Sequence, residues 1–459
     1  MSKREGREQD YIEVPIHQGF YYNTELELPT IVHQYKQVER NLIESQYLAC
    51  ITIHIENLSQ IEYQYGSTIY HKVLRQVAEI ISDLKRREFR DQDIFVVDLL
   101  DINTFVMFLS APRDQKTTLL DHLESLAERA RVTIKSKIFD TLYPYFKVYS
   151  KPSVGYGLVV KNPMISNMRL VMQLVSQAKK MGEFMSERQG YLSKYKLQKT
   201  LIQEDIYTVF QPIVDLSTLE VIGYEALSRG PENTEFASPL LMFILAADFG
   251  LSFELDTLCR KKAFESVHDL NTDKKIFVNT LTMTIHDPDF RGAYLKQLLE
   301  DLKIKPENVV FEVNEKLAID NYDLFRDAMQ DYLDIGIVHA SDDIGAGDSD
   351  LERIMELHPG FLKIDIGLVR EVDKSFVKQE IIKAMVSLSQ GIGALIVAEG
   401  IERREEYWKL KELGVTYGQG YLLGMPARNL DAIRSTSLEE LQLGQPAPSE
   451  AGPVTKKRT

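Results

Sequence analysis

Cysteine is nearly missing from this 459-residue chain: Cys50 and Cys259 are its two thiols, and both sit in apolar runs. Two cysteines exclude a disulfide framework and a cysteine-built zinc site, and they read as reduced core thiols. Positive charge is also in short supply. Fifty-four Lys and Arg face 68 Asp and Glu, a formal net charge of −14. That argues against a nucleic-acid polymer held by phosphate neutralisation, but a small anion held through metal ions stays possible. Long apolar runs are lacking as well. YLACITI (47–53) and LLMFILAA (240–247) stop far short of the about 20 residues that cross a bilayer. The opening MSKREGREQD is too charged for a secretory signal. A soluble, cytoplasmic protein with no membrane partner is therefore expected. Hydrophobic content of 44% excludes wholesale disorder. At roughly 150 residues per domain, two or three domains are expected.

Residues 1–28 are polar and mixed, and read as a flexible lead-in. From 29 the chain alternates helical and strand-like periodicity. A helix at 29–46 precedes the strand YLACITIHI, a helix at 71–86, strands at 93–100 and 103–111, a helix at 116–138, a strand at 154–160 and a helix at 165–181. That order suits a two-layer α+β domain over 29–185. Charged, periodic residues 186–205 read as a connecting helix. Short apolar strands then alternate with helices over 206–435, about 230 residues, close to the size of a (β/α)8 barrel. The tail 443–459, rich in Pro, Gly, Ser and charge, reads as disordered.

Within 206–435, acidic or amide residues recur at the ends of apolar runs. They are Glu225 in VIGYEALSR, Asn279 in KIFVN, Glu312 and Glu315 in NVVFEVNE, and Asp342 and Asp343 in GIVHASDDIG. Lys363 follows in GFLKID, Glu399 and Glu402 in ALIVAEGIE, and Gln419 in GVTYGQGY. Any one of these alone reads as a helix cap or a solvated loop residue. In a parallel barrel, however, the C-terminal strand ends converge on one face, where the chemistry is done. Carboxylates crowded there would repel and protonate unless a cation answered them. Carboxylate and amide oxygens without cysteine suit Mg²⁺ or Mn²⁺. The adjacent Asp pair allows two such ions about 3.5–4 Å apart, the layout of in-line phosphoester cleavage.

The run FQPIVDLSTLEVIGYEALSRGP resembles the signature opening of EAL domains, the cyclic di-GMP phosphodiesterases. The resemblance continues through FVN, FEVNE, DDIGAGDSDLERIMELHPGFLKIDIGLV, IVAEGIE and YGQGYLLGMP, over roughly 205–430. It implies a modified (β/α)8, TIM-like barrel and metal-dependent hydrolysis of cyclic di-GMP to linear pGpG. It implies metal ligands at Glu225, Asn279, Glu312, Asp342 and Asp343, with Asp342 bridging two Mg²⁺ or Mn²⁺ ions. It implies that Lys363 orients the attacking water, that Glu399 holds water as candidate general base, and that Gln419 lies near that water. Glu315 would brace the loop after the Asp pair, and Arg229 would contact a substrate phosphate. The chain departs from the family where DDFGTGYSSL reads DDIGAGDSDL, ELTE reads EVNE, and Gly230 replaces Trp in EALxRW.

The first half resembles a GGDEF domain, the diguanylate cyclase module, in outline. ACITIHIENLSQIEYQYGSTIYHKVL has the shape of its opening strand and turn, with Gly66 retained, and SVGYG and LVSQAKKMG match its closing strand and final helix. Its metal-binding Asp-x-Asp reads His54-Ile55-Glu56, and GGDEF itself reads Asp101-Ile102-Asn103-Thr104-Phe105. Ile102 replaces a glycine that lets backbone approach GTP, so no cyclase activity is expected. An Arg90–Asp93 RxxD stands seven residues, rather than five, before Asp101. The resemblance leaves two readings: a phosphodiesterase with a regulatory GGDEF-like domain, or a receptor that holds cyclic di-GMP uncleaved. A homodimer and an unidentified signalling partner for the first domain are expected with either. Asp348 and Asp350 would place negative charge near the dimer contact, with Arg353 positioned to answer it.

Overall fold

A computed structural model describes residues 21–99, 101–110, 122–145, 152–268, 274–285, 287–314, 322–345 and 358–429. The tail expected to be disordered, Glu315, and the segment carrying Asp348, Asp350 and Arg353 lie outside the described residues. The chain divides into two compact units, 1–196 and 197–459.

Part of the expected flexible lead-in is ordered. Strands β1 (Tyr22–Asn23) and β2 (Leu28–Pro29) pair antiparallel, and Leu26 between them is buried. Helix α1 (Ile31–Ser45), β3 (Tyr47–Ile55), α2 (Leu58–Tyr65), α3 (Ser67–Glu88), β4 (Ile94–Val97) and β5 (Thr104–Leu109) follow. Then come α4 (Leu123–Leu142), β6 (Pro152–Val160) and α5 (Asn167–Ile202). The four longer strands form an antiparallel sheet in the order β4-β5-β3-β6.

The sheet is covered on both faces, so the unit has three layers rather than the expected two. The reason lies in the two central strands, which carry apolar side chains at successive positions instead of alternating with polar ones. Ile51 and Ile53 of β3 and Phe105 and Met107 of β5 pack with Val73, Val77, Ala130 and Ile134 of α3 and α4. Cys50, Val106 and Phe108 face the other way, onto Val38 and Leu42 of α1 and Leu170 and Leu174 of α5.

The helices expected at 165–181 and 186–205 are one helix, α5, of 36 residues. Gly182 falls between those two expected helices, but it sits inside α5 as a close-approach residue. A Cβ at Gly182 would lie 2.8 Å from Ser153 Oγ, and one at Gly155 would lie 1.9 Å from the Ala178 carbonyl oxygen. Strand β6 thus touches helix backbone without side chains between them. Gly155→Ala is expected to force the two apart and to destabilise this unit by about 1–3 kcal/mol. A thermal unfolding midpoint equal to wild type would contradict the close contact.

The second unit runs β7 (Tyr207–Asp215), β8 (Val221–Arg229), α6 (Pro239–Phe249), α7 (Ser252–His268), β9 (Lys275–Thr280), α8 (Gly292–Asp301) and β10 (Val309–Asn314). It continues through α9 (Tyr322–Asp334), β11 (Val338–Ile344), β12 (Phe361–Ile364), α10 (Ile366–Val369), α11 (Phe376–Ile392), β13 (Leu395–Ala398), α12 (Arg404–Glu412) and β14 (Tyr417–Gly418). The eight strands close into a barrel in the order β10-β11-β12-β13-β14-β7-β8-β9. All neighbours are parallel except β7, which is antiparallel to both β8 and β14. This is a TIM-like barrel with its first strand reversed.

Candidate active site

Ile213, Phe277, Val310, Ala340, Phe361 and Val397 come from six different strands and pack together as one buried cluster. Side chains along a strand alternate faces, so a residue two positions on points the same way, one layer higher. Two residues beyond this layer stand Asn279, Glu312, Asp342, Lys363 and Glu399. Gln419 stands two beyond Tyr417, and Glu225 two beyond Gly223. On the reversed strand β7 the same step is taken backwards, from Ile213 to Gln211. All eight strands therefore deliver a polar side chain to one level of the barrel mouth. Together with Ile366 at the start of α10 and Gly400, Glu402, Gly420 and Tyr421 beyond the strand ends, members of this ring line a cavity of about 300 Å³.

At the centre stands Lys363, 1% exposed. Its Nζ lies 2.6 Å from Glu312 Oε1, 2.5 Å from Glu399 Oε1, 3.4 Å from Asp342 Oδ1 and 3.7 Å from Glu225 Oε2. Glu225 accepts hydrogen bonds from Asn279 Nδ2 at 3.0 Å and Gln419 Nε2 at 2.5 Å. Gln419 Nε2 also lies 3.0 Å from Gln211 Oε1, and Gln211 in turn donates to the Gly424 carbonyl.

Asp343 joins this group through an irregularity. Adjacent residues in a regular strand point to opposite faces, but the register of β11 against β12 shifts between Ser341 and Ile344. Asp343 there takes a left-handed φ of 57°, an uncommon conformation for a residue with a Cβ. The result brings one carboxylate oxygen from each of Asp342, Asp343 and Glu399 within 4.8 Å of one another.

The electrostatics show an unmet need for positive charge. Burial pushes the Glu312 carboxyl well up, and the nearby Glu225 charge adds to that, against the pull of Lys363. Burial likewise raises Asp342 despite Lys363, and takes Glu399 up to about 8. Burial also acts on Glu225, but Lys363 and the amides of Gln419 and Asn279 outweigh it and hold this carboxyl low. Burial alone would lower Lys363; the surrounding carboxylates reverse that and hold its ammonium well above the usual range. Among the described residues, one ammonium lies within 4 Å of four carboxylates, with Asp343 beside them. Glu312 Oε2 and Gln419 Oε1 are buried with no hydrogen-bond partner among the described residues. Hard oxygen donors, surplus negative charge and orphaned acceptors fit a hard divalent cation.

Nine of the ten expected site residues are described, and eight of them meet in this mouth. Arg229 does not join the central group. It lies at the end of β8, its NH1 2.8 Å from the Ser228 carbonyl, and is half-buried. The Gly230 departure has a local cause, because a Cβ there would lie 2.3 Å from the Phe236 carbonyl oxygen. Gln211 belongs to the ring and went unassigned in the sequence.

In the first unit His54, Asp101, Asn103 and Asp93 are engaged internally. Asp101 Oδ2 receives Thr104 Oγ1 at 2.6 Å and Lys179 Nζ at 2.8 Å, and His54 Nδ1 lies 2.9 Å from Thr104 Oγ1. Tyr70 OH donates to Asn103 Oδ1 at 2.8 Å. Asp93 of the RxxD accepts from the Arg90 and Ser110 backbone amides and the Ser110 hydroxyl, so its carboxylate is occupied by the fold.

A family model for the EAL domain matches residues 195–426. The probable cyclic di-GMP phosphodiesterase PdeB of Escherichia coli is 29% identical over 249 residues, covering 52% of this chain and 46% of PdeB. The blue light- and temperature-regulated antirepressor BluF of the same organism is 29% identical over 222 residues, 48% of this chain and 54% of BluF. The chain spans about half the length of these curated relatives. A standalone EAL protein of Vibrio cholerae, solved with cyclic di-GMP bound, is 27% identical with a TM-score of 0.44, covering 49% of this chain and 94% of that one.

Proposed function

The chain belongs to the EAL domain family, and from that premise we propose that its barrel is a metal-dependent phosphodiesterase that opens cyclic di-GMP to linear pGpG. The supporting observation is the set of four carboxylates around one buried lysine, with Asp343 grouped beside two of them, left with unmet acceptors at the mouth of the barrel.

In this reading Glu225, Glu312, Asp342, Asp343 and Asn279, through its Oδ1, would hold the cations. Bound divalent cations would neutralise phosphate charge and acidify water. The chain's own groups do the rest. In hydrolysis the water oxygen bonds to phosphorus, the bond from phosphorus to the 3′ oxygen breaks, and that oxygen takes up a proton. Glu399 faces the cavity and is placed to take the proton of the attacking water. Lys363 donates to Glu399 and pairs by charge with Glu312, and so fixes the direction of both carboxylates. Gln419 and Asn279 hold Glu225 in one rotamer. Arg229 serves as a substrate phosphate contact at the rim. The segment 29–185 is a regulatory GGDEF-like domain that makes no cyclic di-GMP, and the chain acts as a homodimer.

The test is chromatography of full-length protein incubated with cyclic di-GMP. Mg²⁺ or Mn²⁺ should yield pGpG, and chelator should abolish it. Ca²⁺ should inhibit, because its larger and looser shell fits octahedral two-ion chemistry poorly. Unchanged substrate after overnight incubation, with binding intact, would move the assignment to a receptor. The altered DDIGAGDSD sequence at 342–350 favours that second reading.

A further inference from the structure

The barrel contains a second buried charge cluster, which the chemistry above does not use. Arg260 on α7 is 0% exposed. Its Nε lies 3.0 Å from Asp256 Oδ2, one helical turn earlier, and its NH2 lies 2.8 Å from Asp287 Oδ2. The guanidinium sits over the Phe290 ring, 4.3 Å from its centre. Such a cluster carries a large desolvation penalty, and an apolar replacement of equal volume is often as stable. Its value is therefore sought in what it holds.

It holds the turn that leaves β9. Asp256 Oδ1 accepts from the Leu281 backbone amide at 3.3 Å, and Asp256 Oδ2 accepts from Thr284 Oγ1 at 2.5 Å. Arg260 NH2 reaches the Thr284 carbonyl at 3.5 Å. Asp287 is fixed in turn by Thr257 Oγ1 at 2.6 Å, and Tyr332 of α9 donates to the Ile285 carbonyl at 3.1 Å. Leu281 is two residues from Asn279, whose Nδ2 is engaged by Glu225 and whose Oδ1 is the atom left to meet a cation.

Resting on the metal-site reading above, we propose that Arg260, with Asp256 and Asp287, is a positioning element for Asn279. The fork of Arg260 clamps α7 to the β9 exit, and this sets where the Asn279 carboxamide points. The guanidinium geometry matters as well as the charge, because a lysine ammonium cannot reach both aspartates in one plane.

The experiment measures Mn²⁺ affinity of the full-length chain by titration calorimetry without substrate, beside thermal unfolding. Arg260→Lys should stay folded and weaken Mn²⁺ binding about tenfold, as loss of an outer-shell partner does. Asp256→Asn, nearly isosteric, should weaken it likewise and stands in if Arg260→Lys does not fold. In an Asn279→Ala background neither substitution should weaken Mn²⁺ binding further. Unchanged Mn²⁺ affinity in both single variants overturns the clamp, as does the same tenfold loss in the Asn279→Ala background. A wild-type chain that binds no Mn²⁺ also overturns it. A chain that binds Mn²⁺ and shows the expected coupling but leaves cyclic di-GMP intact upholds the clamp and rejects the phosphodiesterase.

Discussion

Replacing Glu225 by Ala is expected to lower turnover of cyclic di-GMP by about a thousandfold or more, corresponding to about 4 kcal/mol of lost transition-state stabilisation. Glu225 is the carboxylate that the ring keeps ionised. Lys363, Asn279 and Gln419 all favour its charged form, against burial. It is thus the ready-made anion for a cation, whereas Glu312 and Asp342 are pushed towards the neutral form until one arrives. The fold should survive. Removal strands two amide donors, at about 1 kcal/mol each, but it also relieves the repulsion that Glu225 exerts on Glu312 and Asp342. Initial rates with saturating Mn²⁺, beside an unfolding curve, check both halves. A variant with near-native turnover would remove Glu225 from the site.

Replacing Lys363 by Met should act on stability as well as on activity. Its ammonium is the one positive charge described within 4 Å of Glu225, Glu312, Asp342 and Glu399. Breaking a buried ion pair by deleting one partner costs about 3–5 kcal/mol, or about 10 °C in midpoint for a unit of this size. Turnover should fall with it, since Glu399 and Glu312 lose the ammonium that orients them. The two effects separate in their response to metal. Mn²⁺ supplies the missing positive charge, so it should raise the midpoint of Lys363→Met by more than that of wild type. Equal metal-induced shifts in the two proteins would show that the carboxylates do not act as one charge cluster.

Most of the ring was legible in the sequence because six of its parallel strands carry the functional residue at the C-terminal end, right after an apolar run. Gln211 was not, for a topological reason. Strand β7 runs opposite to its neighbours, so its mouth-facing residue comes before the apolar layer residue Ile213 and lies inside the run FQPIV. The same logic explains α5. A glycine in a periodic segment reads as a stop, and only the packing of Gly182 against Ser153 and Gly155 reveals a contact instead. The covered second face of the first sheet was hidden because an unbroken apolar run does not state what lies on either side of it. Arg229 shows the reverse case. Its motif is plain in the sequence, yet the guanidinium rests on its own Ser228 carbonyl, outside the central group.

The central claim is that residues from separate strands form one cation-binding site, and anomalous scattering from crystals soaked in Mn²⁺ tests it most directly. The expected result is strong peaks inside the barrel mouth, with oxygens of Glu225, Asn279, Glu312 and Asp342 about 2.0–2.2 Å away and Asp343 beside them. Absence of a peak there at millimolar Mn²⁺, or peaks confined to the surface, would contradict it.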